Sequence, residues 1–291
     1  HEQMIKDPAI KLKLADSYAG IANYWKFYDG ETKQLIKYHV FDQKKTYENK
    51  FASWANGKPE YENILADYAK NYADWTPYAK QRTYLIEGIL GSPLTGAASG
   101  LASLEAKLMN NTTPAADLKK ALDAATANRE SFKESEDLTS DEKIMAATAM
   151  RFYEDVDKSQ HPIGFYEGIK ASYGNLNEDA TYKKWAHDVF TKTILLDDAK
   201  WNAFVAAPTA ATLQDDPAFA YAEAFVKNYT GKYASLSTAF RNKNDELGRL
   251  YLKGIMEMNP DAVNKMYPDA NFSMRVSYGN VKSYNPRDAV H

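Results

Sequence analysis

The chain contains no cysteine. Disulfide staples, thiol nucleophiles and thiolate metal sites are therefore excluded, and the redox compartment stays open. Histidine is scarce too. His1, His39, His161, His187 and His291 are scattered, with no second histidine at helical spacing, so neither a metal site nor a cofactor is expected. Neither sign of charge prevails: 36 basic against 39 acidic residues leave a net charge of -3, and no long like-charge run exists. That balance argues against nucleic acid or an anionic membrane as partner. No apolar run is long enough to span a bilayer, and no signal peptide begins at His1.

What the chain has in quantity is aromatic residues: 21 Tyr, 12 Phe and 5 Trp in 291 positions. In a helical protein these fill long seams between helices, with tyrosine hydroxyls reaching water or a partner. The length is enough for a sizeable core, as one elongated helical domain or two smaller ones.

Helix starts punctuate the sequence. Asp7-Pro8, Thr76-Pro77, Thr113-Pro114 and Asp216-Pro217 each set an oxygen acceptor before a proline, which loses nothing at the first helical position. Thr139 with Glu142 reads as a capping box. From Pro8, the residues Ile10, Leu14, Tyr18, Ile21, Trp25 and Tyr28 recur at three- and four-residue spacing and predict an amphipathic helix with Trp25 in the core. Asp29-Gly30 is placed to bend or end it.

Further helices are expected over 41–54, 60–72, 77–90, 101–109, 115–133, 140–156, 178–196, 199–206 and 217–242, the last continuing through 248–258. One short helix is expected in 161–174. Residues 88–100 concentrate glycine with Ser92, Pro93, Thr95 and Ser99, and read as a loop or internal hinge. No repeat of fixed period is present, which argues against a regular solenoid.

One stretch reads as β-structure. In Tyr267–Tyr284, Phe272, Met274, Val276 and Tyr278 alternate with Ser273, Arg275 and Ser277, and Gly279-Asn280 marks a turn or bulge. No partner strand precedes it, and a lone hairpin is marginal in water. The expected fold is thus mainly α: an irregular multi-helix domain over 1–266, and a β segment over 267–291 that pairs with a sheet outside this sequence.

Few residues carry a chemical signature. Gly91-Ser92-Pro93 lacks the glycines and the preceding strand of a nucleophile elbow, so Ser92 reads as a turn serine. The carboxylate pairs Asp197-Asp198 and Asp215-Asp216, and the run Glu134 to Asp137, sit at predicted helix ends and read as caps. Asn110, Asn111, Asn228 and Asn271 begin glycosylation-type triplets, which are frequent by chance. Asn23 is different. It lies roughly 200° around the helix from both Ile21 and Trp25, so it shares a second face with Ala19, Gly20 and Phe27. That face admits a ligand close to the backbone.

Two motifs carry a family resemblance. Tyr267-Pro268-Asp269-Ala270-Asn271-Phe272, followed by Met274-Arg275 and Tyr278-Gly279, resembles the segment by which bacterial serine dipeptidyl-peptidases of the seven and eleven type return from their helical domain to their catalytic β-domain. Ser17-Tyr18-Ala19 with Ala22-Asn23-Tyr24-Trp25-Lys26 is similar to the start of that helical domain, although Phe27-Tyr28-Asp29-Gly30 departs from the usual continuation.

The resemblance implies a helical domain that caps the active-site cleft, with Asn23 holding the free α-amino group of an oligopeptide. It also implies a catalytic His and Asp before this stretch and a nucleophilic Ser after it. None of those motifs is in this sequence, so no catalytic residue is assigned and the piece is expected to be inactive alone. A homodimer and a periplasmic or cell-surface location are further implications of the resemblance. The rival expectation is a non-catalytic helical module that binds carbohydrate or protein through exposed Tyr and Trp, whereas a cap should bury most of its tryptophans.

Overall fold

The computed structural model describes residues 2–264, residue 274 and residues 276–283, and within them every regular element is helical. The first is a short helix, α1 (Glu2–Lys6). Then comes α2 (Pro8–Lys37), capped by the Asp7 carboxylate, which accepts the Ala9 N–H at 2.8 Å ahead of Pro8. Asp29-Gly30 does not interrupt α2, and Lys33 bonds Asp29 at 2.6 Å one turn away, inside the continuing helix. After a turn through His39 (φ 50), α3 (Val40–Ala55) and α4 (Ile64–Thr83) follow.

Pro77 lies inside α4 rather than starting a helix. Thr76 does not cap; its hydroxyl bonds back to the Tyr72 carbonyl at 2.7 Å, in keeping with helix already formed on both sides. A π-helical turn, Tyr84–Ile89, continues α4.

The expected loop over 88–100 is largely ordered helix. It contains α5 (Pro93–Ser99), whose Leu94, Thr95 and Ala98 are fully buried. Gly91 is required before it, because a Cβ there would collide with the Glu87 carbonyl oxygen.

Next come α6 (Ala102–Met109) and α7 (Ala115–Ser135), the latter with Pro114 in the cap position rather than inside the first turn. For α8 (Leu138–Asp155) the cap is Asp137, whose carboxylate accepts the Ser140 N–H at 3.0 Å; the Thr139–Glu142 capping box does not form. The chain continues through α9 (Phe165–Tyr173), α10 (Asp179–Lys192), α11 (Asp198–Ala206) and α12 (Ala210–Gln214) to α13 (Pro217–Lys232) and α14 (Ala234–Met258), ending the described helices at α15 (Pro260–Val263). The break between α13 and α14 falls at Tyr233, earlier than the residues 242–248 expected.

The carboxylate pairs are structural, as read from the sequence. Asp197 caps α11, while Asp198 pairs with Arg129 and Lys133, which hold its carboxyl down at about 2. Asp216 is buried and caps α13 through the N–H groups of Ala218 and Phe219, both at 3.0 Å, while its other oxygen accepts the Ile194 N–H at 2.7 Å. Asn228 is buried and donates to the Gln160 carbonyl, so its triplet is structural as well.

Two cores result. The larger runs from the π-helical turn through α13, with Trp201, Tyr182, Phe152, Phe219 and Phe225 at its centre. A smaller one, Phe51, Ala55, Tyr61 and Ile64 with Tyr251 and Ile255, joins α3 to the first half of α4 and the second half of α14. The first group forms a body and the second an arm. Between them α4 and α14 run antiparallel along an aromatic ladder: Tyr68 on Tyr251, Tyr72 and Trp75 on Phe240, Tyr78 on Tyr233.

Half of the predicted β segment, Tyr267–Tyr284, lies outside the described residues. Of the remainder, residue 274 and residues 276–283 form no regular element, and Met274, Val276 and Tyr278 are exposed.

Candidate functional site

Helix α2 buries no residue along its 30 positions. The expectation that Trp25 belongs to the core is therefore corrected: it is 65% exposed, and Ile21 and Tyr28 of the same stripe are 70% and 60% exposed. The periodicity is real, but the described residues leave Ile21, Trp25 and Tyr28 largely uncovered. Of the stripe, Ile10 and Leu14, toward the helix start, are half-buried. Exposed large apolar side chains on one element mark an interaction surface rather than a solvated face.

Asn23 sits on the other flank. Its side chain is exposed, and no described residue hydrogen-bonds it. Beside it, Gly20 is open, with nothing within 4 Å of where a Cβ would be. Phe27, one turn on, is 59% exposed and meets Tyr28 edge to face at 5.4 Å. The flank thus offers an amide with one acceptor and two donors, a bare backbone patch and an aromatic wall. An amide carbonyl accepts an ammonium without needing a counter-charge, and the ring face adds attraction for a cation.

The stripe flank borders a cleft of about 310 Å³ between α2 and the body. Leu14, Tyr18 and Ile21 line it from α2, and Pro93, Asp137 and Ile144 from α5 and α8. At its floor lies a residue that sequence reasoning did not single out. Asp141 is 1% exposed, accepts the Ser92 hydroxyl at 2.7 Å with one oxygen and the Leu94 N–H at 2.7 Å with the other, and so anchors the start of α5 to α8. Burial pushes its pKa up to about 6, against the two hydrogen bonds that favour the ionised form. Ser92 is fully buried and spent on this bond, so it is no nucleophile. No local signal marks it: Asp141 stands in the first turn of α8, 49 residues from Ser92.

The described histidines do not converge. The ring Nε2 of His161 bonds the Val156 carbonyl at 3.0 Å, burial lowering its pKa, and His187 faces Glu142 at 3.2 Å on the surface. Among the described residues no group of three or more His, Asp or Glu is placed to hold a metal, and no helix is long and apolar enough to cross a membrane. Of the tryptophans, Trp75, Trp185 and Trp201 are buried, Trp54 is half-buried and Trp25 is exposed.

The described residues thus form a helical protein with two cores and a largely uncovered α2, and the comparisons with known proteins give its class. Residues 1–291 match Peptidase S46 from end to end, and the chain belongs to that family. It is 32% identical over 296 residues to an Asp/Glu-specific dipeptidyl-peptidase of Flavobacterium psychrophilum, covering 99% of this chain and 39% of the relative. It is 30% identical to a dipeptidyl-peptidase 7 of Capnocytophaga gingivalis, covering 98% and 38%. In fold it is similar to the crystal structure of Porphyromonas endodontalis DPP11 in complex with the dipeptide Arg-Glu, with a TM-score of 0.76 at 23% identity over 99% of this chain and 40% of that one. The chain thus spans about two fifths of the length of the relatives it matches.

Proposed function

We propose that residues 1–291 are the substrate-capping helical part of a serine-type dipeptidyl-peptidase that removes dipeptides from the free N-terminus of oligopeptides. The observation that carries this reading is α2: a capped helix with one flank apolar and uncovered, and the other presenting Asn23 beside Gly20 and Phe27. Both flanks await something outside the described residues, and the relatives are more than twice as long.

In this reading the apolar flank lies toward the catalytic part and Asn23 accepts the substrate ammonium. Exopeptidase register follows from closing one end of the groove, because the fixed amine sets how many residues reach the scissile bond. The bond itself is cut by acyl transfer through a Ser-His-Asp triad carried by the rest of the protein, so residues 1–291 alone are inactive. The segment 267–291 returns the chain to the catalytic sheet by strand pairing. An Asp/Glu-specific dipeptidyl-peptidase and a dipeptidyl-peptidase 7 match over the same span, which fits a primary specificity pocket outside it. The full protein is a periplasmic or cell-surface homodimer.

The test is hydrolysis by the full-length protein of a peptide with a free amine and of its N-acetylated copy. Release of dipeptides from the first alone supports the reading; no release from either refutes it. The exposed Tyr24, Trp25, Phe27 and Tyr28 also fit a second reading, a stacking surface for carbohydrate. That reading requires saturable oligosaccharide binding by a protein without peptidase activity.

A further inference from the structure

A cavity of about 520 Å³ opens in the body where the end of α8, the turn 158–164, α9 and the last turn of α13 meet. None of its lining residues lines the cleft beside α2. Its charge runs against that of the chain. Lys158, Lys170 and Lys232 line it with a single acid, Glu167, whereas the chain as a whole carries slightly more acid than base. Lys170 and Lys232 each stand in the last turn of a helix, where the macrodipole favours a cation. That accounts for each lysine separately, but not for their meeting at one cavity with a third from the turn.

The neighbouring carboxylates are engaged elsewhere. Asp157 turns back on its own segment and accepts the Ser159 N–H at 2.8 Å and the Ser159 hydroxyl at 2.5 Å. Glu154 pairs with Arg151 at 3.2 Å, and Asp155 accepts the Tyr84 hydroxyl. Among the described residues neither Lys170 nor Lys232 has an ion-pair partner, although Lys227, earlier on α13, pairs with Glu223 at 2.8 Å. Lys158 is held at the wall, its ammonium 3.5 Å from the Tyr153 hydroxyl and 5.1 Å from that ring's centroid. Ammonium groups left unneutralised round one cavity repel each other, and an anion of matching charge relieves that repulsion.

The lining also selects the kind of anion. No arginine is among it, so the planar fork that grips a carboxylate is missing, whereas lysines bind the oxygens of a phosphate as point charges. Opposite the charges, the rings of Tyr153, His161 and Tyr166 form an aromatic wall with centroids 4.8 to 5.7 Å apart, a surface for the body that carries the phosphate.

We propose that this cavity binds a multivalent phosphate-type anion, held by Lys158, Lys170 and Lys232 against the aromatic wall. The site does not rest on the peptidase reading.

Isothermal titration of the full-length protein with inorganic pyrophosphate at low ionic strength should show a saturable component that weakens as salt is added. Lys158→Gln, Lys170→Gln and Lys232→Gln should each weaken it by about twofold to fivefold, and the triple variant by at least about tenfold. Glu167→Gln, which removes the carboxylate from the lining, should tighten it by about twofold to fivefold. Lys253→Gln, on the arm and paired with Glu60, should leave it unchanged. All of these side chains are exposed, so the variants should fold.

Vesicles containing phosphatidic acid separate two sources of the phosphate. Sedimentation with them that pyrophosphate reverses identifies a lipid headgroup; pyrophosphate binding without sedimentation identifies a soluble ligand. No saturable binding of pyrophosphate, or binding as strong in the triple variant as in wild type, overturns the proposal. Peptide hydrolysis is scored separately, so loss of the peptidase reading leaves the binding result standing.

Discussion

Ser92 donates its hydroxyl to Asp141 across 2.7 Å, and through that bond a helix start in α5 is fixed by a carboxylate from α8. The pair is buried, and burial outweighs both hydrogen bonds in setting the Asp141 pKa near 6. An unfolded aspartate titrates near about 3.9. Between those values the folded state holds the proton more often, so stability falls as pH rises through the window and is level above it. Asp141→Asn keeps the shape, accepts the Leu94 N–H and donates to Ser92. Its unfolding free energy relative to wild type should improve by about 2–3 kcal/mol from pH 4 to pH 7. Urea unfolding at several pH values measures this; a constant difference would contradict it.

Asp216 is buried as well and serves more donors. Its two oxygens serve the N–H groups of Ala218, Phe219 and Ile194 and the Thr193 hydroxyl, all buried. Asp216→Ala leaves those donors unmet and should cost about 2–4 kcal/mol, combining a lost cap with unsatisfied buried groups. Asp7→Ala, at an exposed cap of a helix that buries nothing, should cost no more than about 1 kcal/mol. Denaturant midpoints of the two variants separate these expectations.

Gly254 sets helix propensity against packing. Alanine would gain about 1 kcal/mol in α14 by propensity. Its methyl, however, would stand 2.8 Å from Cε2 of Phe51 and 3.2 Å from Cδ1 of Tyr61, both in the arm core. Overpacking of this kind costs about 1–3 kcal/mol, so Gly254→Ala should be net destabilising and should loosen the arm first. Hydrogen exchange should rise in α3 and the end of α14 while α8 and α10 stay protected.

Trp25 reports on the covering of α2. In residues 1–291 alone it should be the tryptophan most open to a small quencher, a component lost in Trp25→Phe, because Trp75, Trp185 and Trp201 are buried. In the full-length protein the account places the apolar flank against the catalytic part, and the same component should be protected. Equal quenching in both proteins would remove the argument for docking through this helix.

The helical class, the Asp7 and Asp216 caps and most helix extents were legible because periodicity and N-cap chemistry are local. The errors came where tertiary context decided. Pro77 looks like a helix start, yet helix on both sides absorbs it; Ser92 and the glycines around it look like a loop, yet Asp141, 49 residues on, pins them into the core. Trp25 is the most instructive case. Its periodicity predicts burial, but an apolar stripe shows only that a surface wants covering, not that the same stretch of chain supplies the cover. Asn23 stands out because a 3.6-residue period excludes it from that stripe; the ligand proposed for it rests on family resemblance alone.

The most direct test of the central claim compares wild-type full-length protein with Asn23→Ala on a free-amine peptide and its N-acetylated copy. Asn23 is exposed and makes no hydrogen bond to a described residue, so the thermal midpoint should not move. Losing one hydrogen bond to a charged group should lower kcat/KM on the free-amine peptide by about tenfold to a hundredfold. Any residual rate on the acetylated copy should be unchanged. Unaltered kcat/KM on the free-amine peptide, or an equal loss on both, would contradict the assignment of Asn23 as the residue that holds the substrate amine.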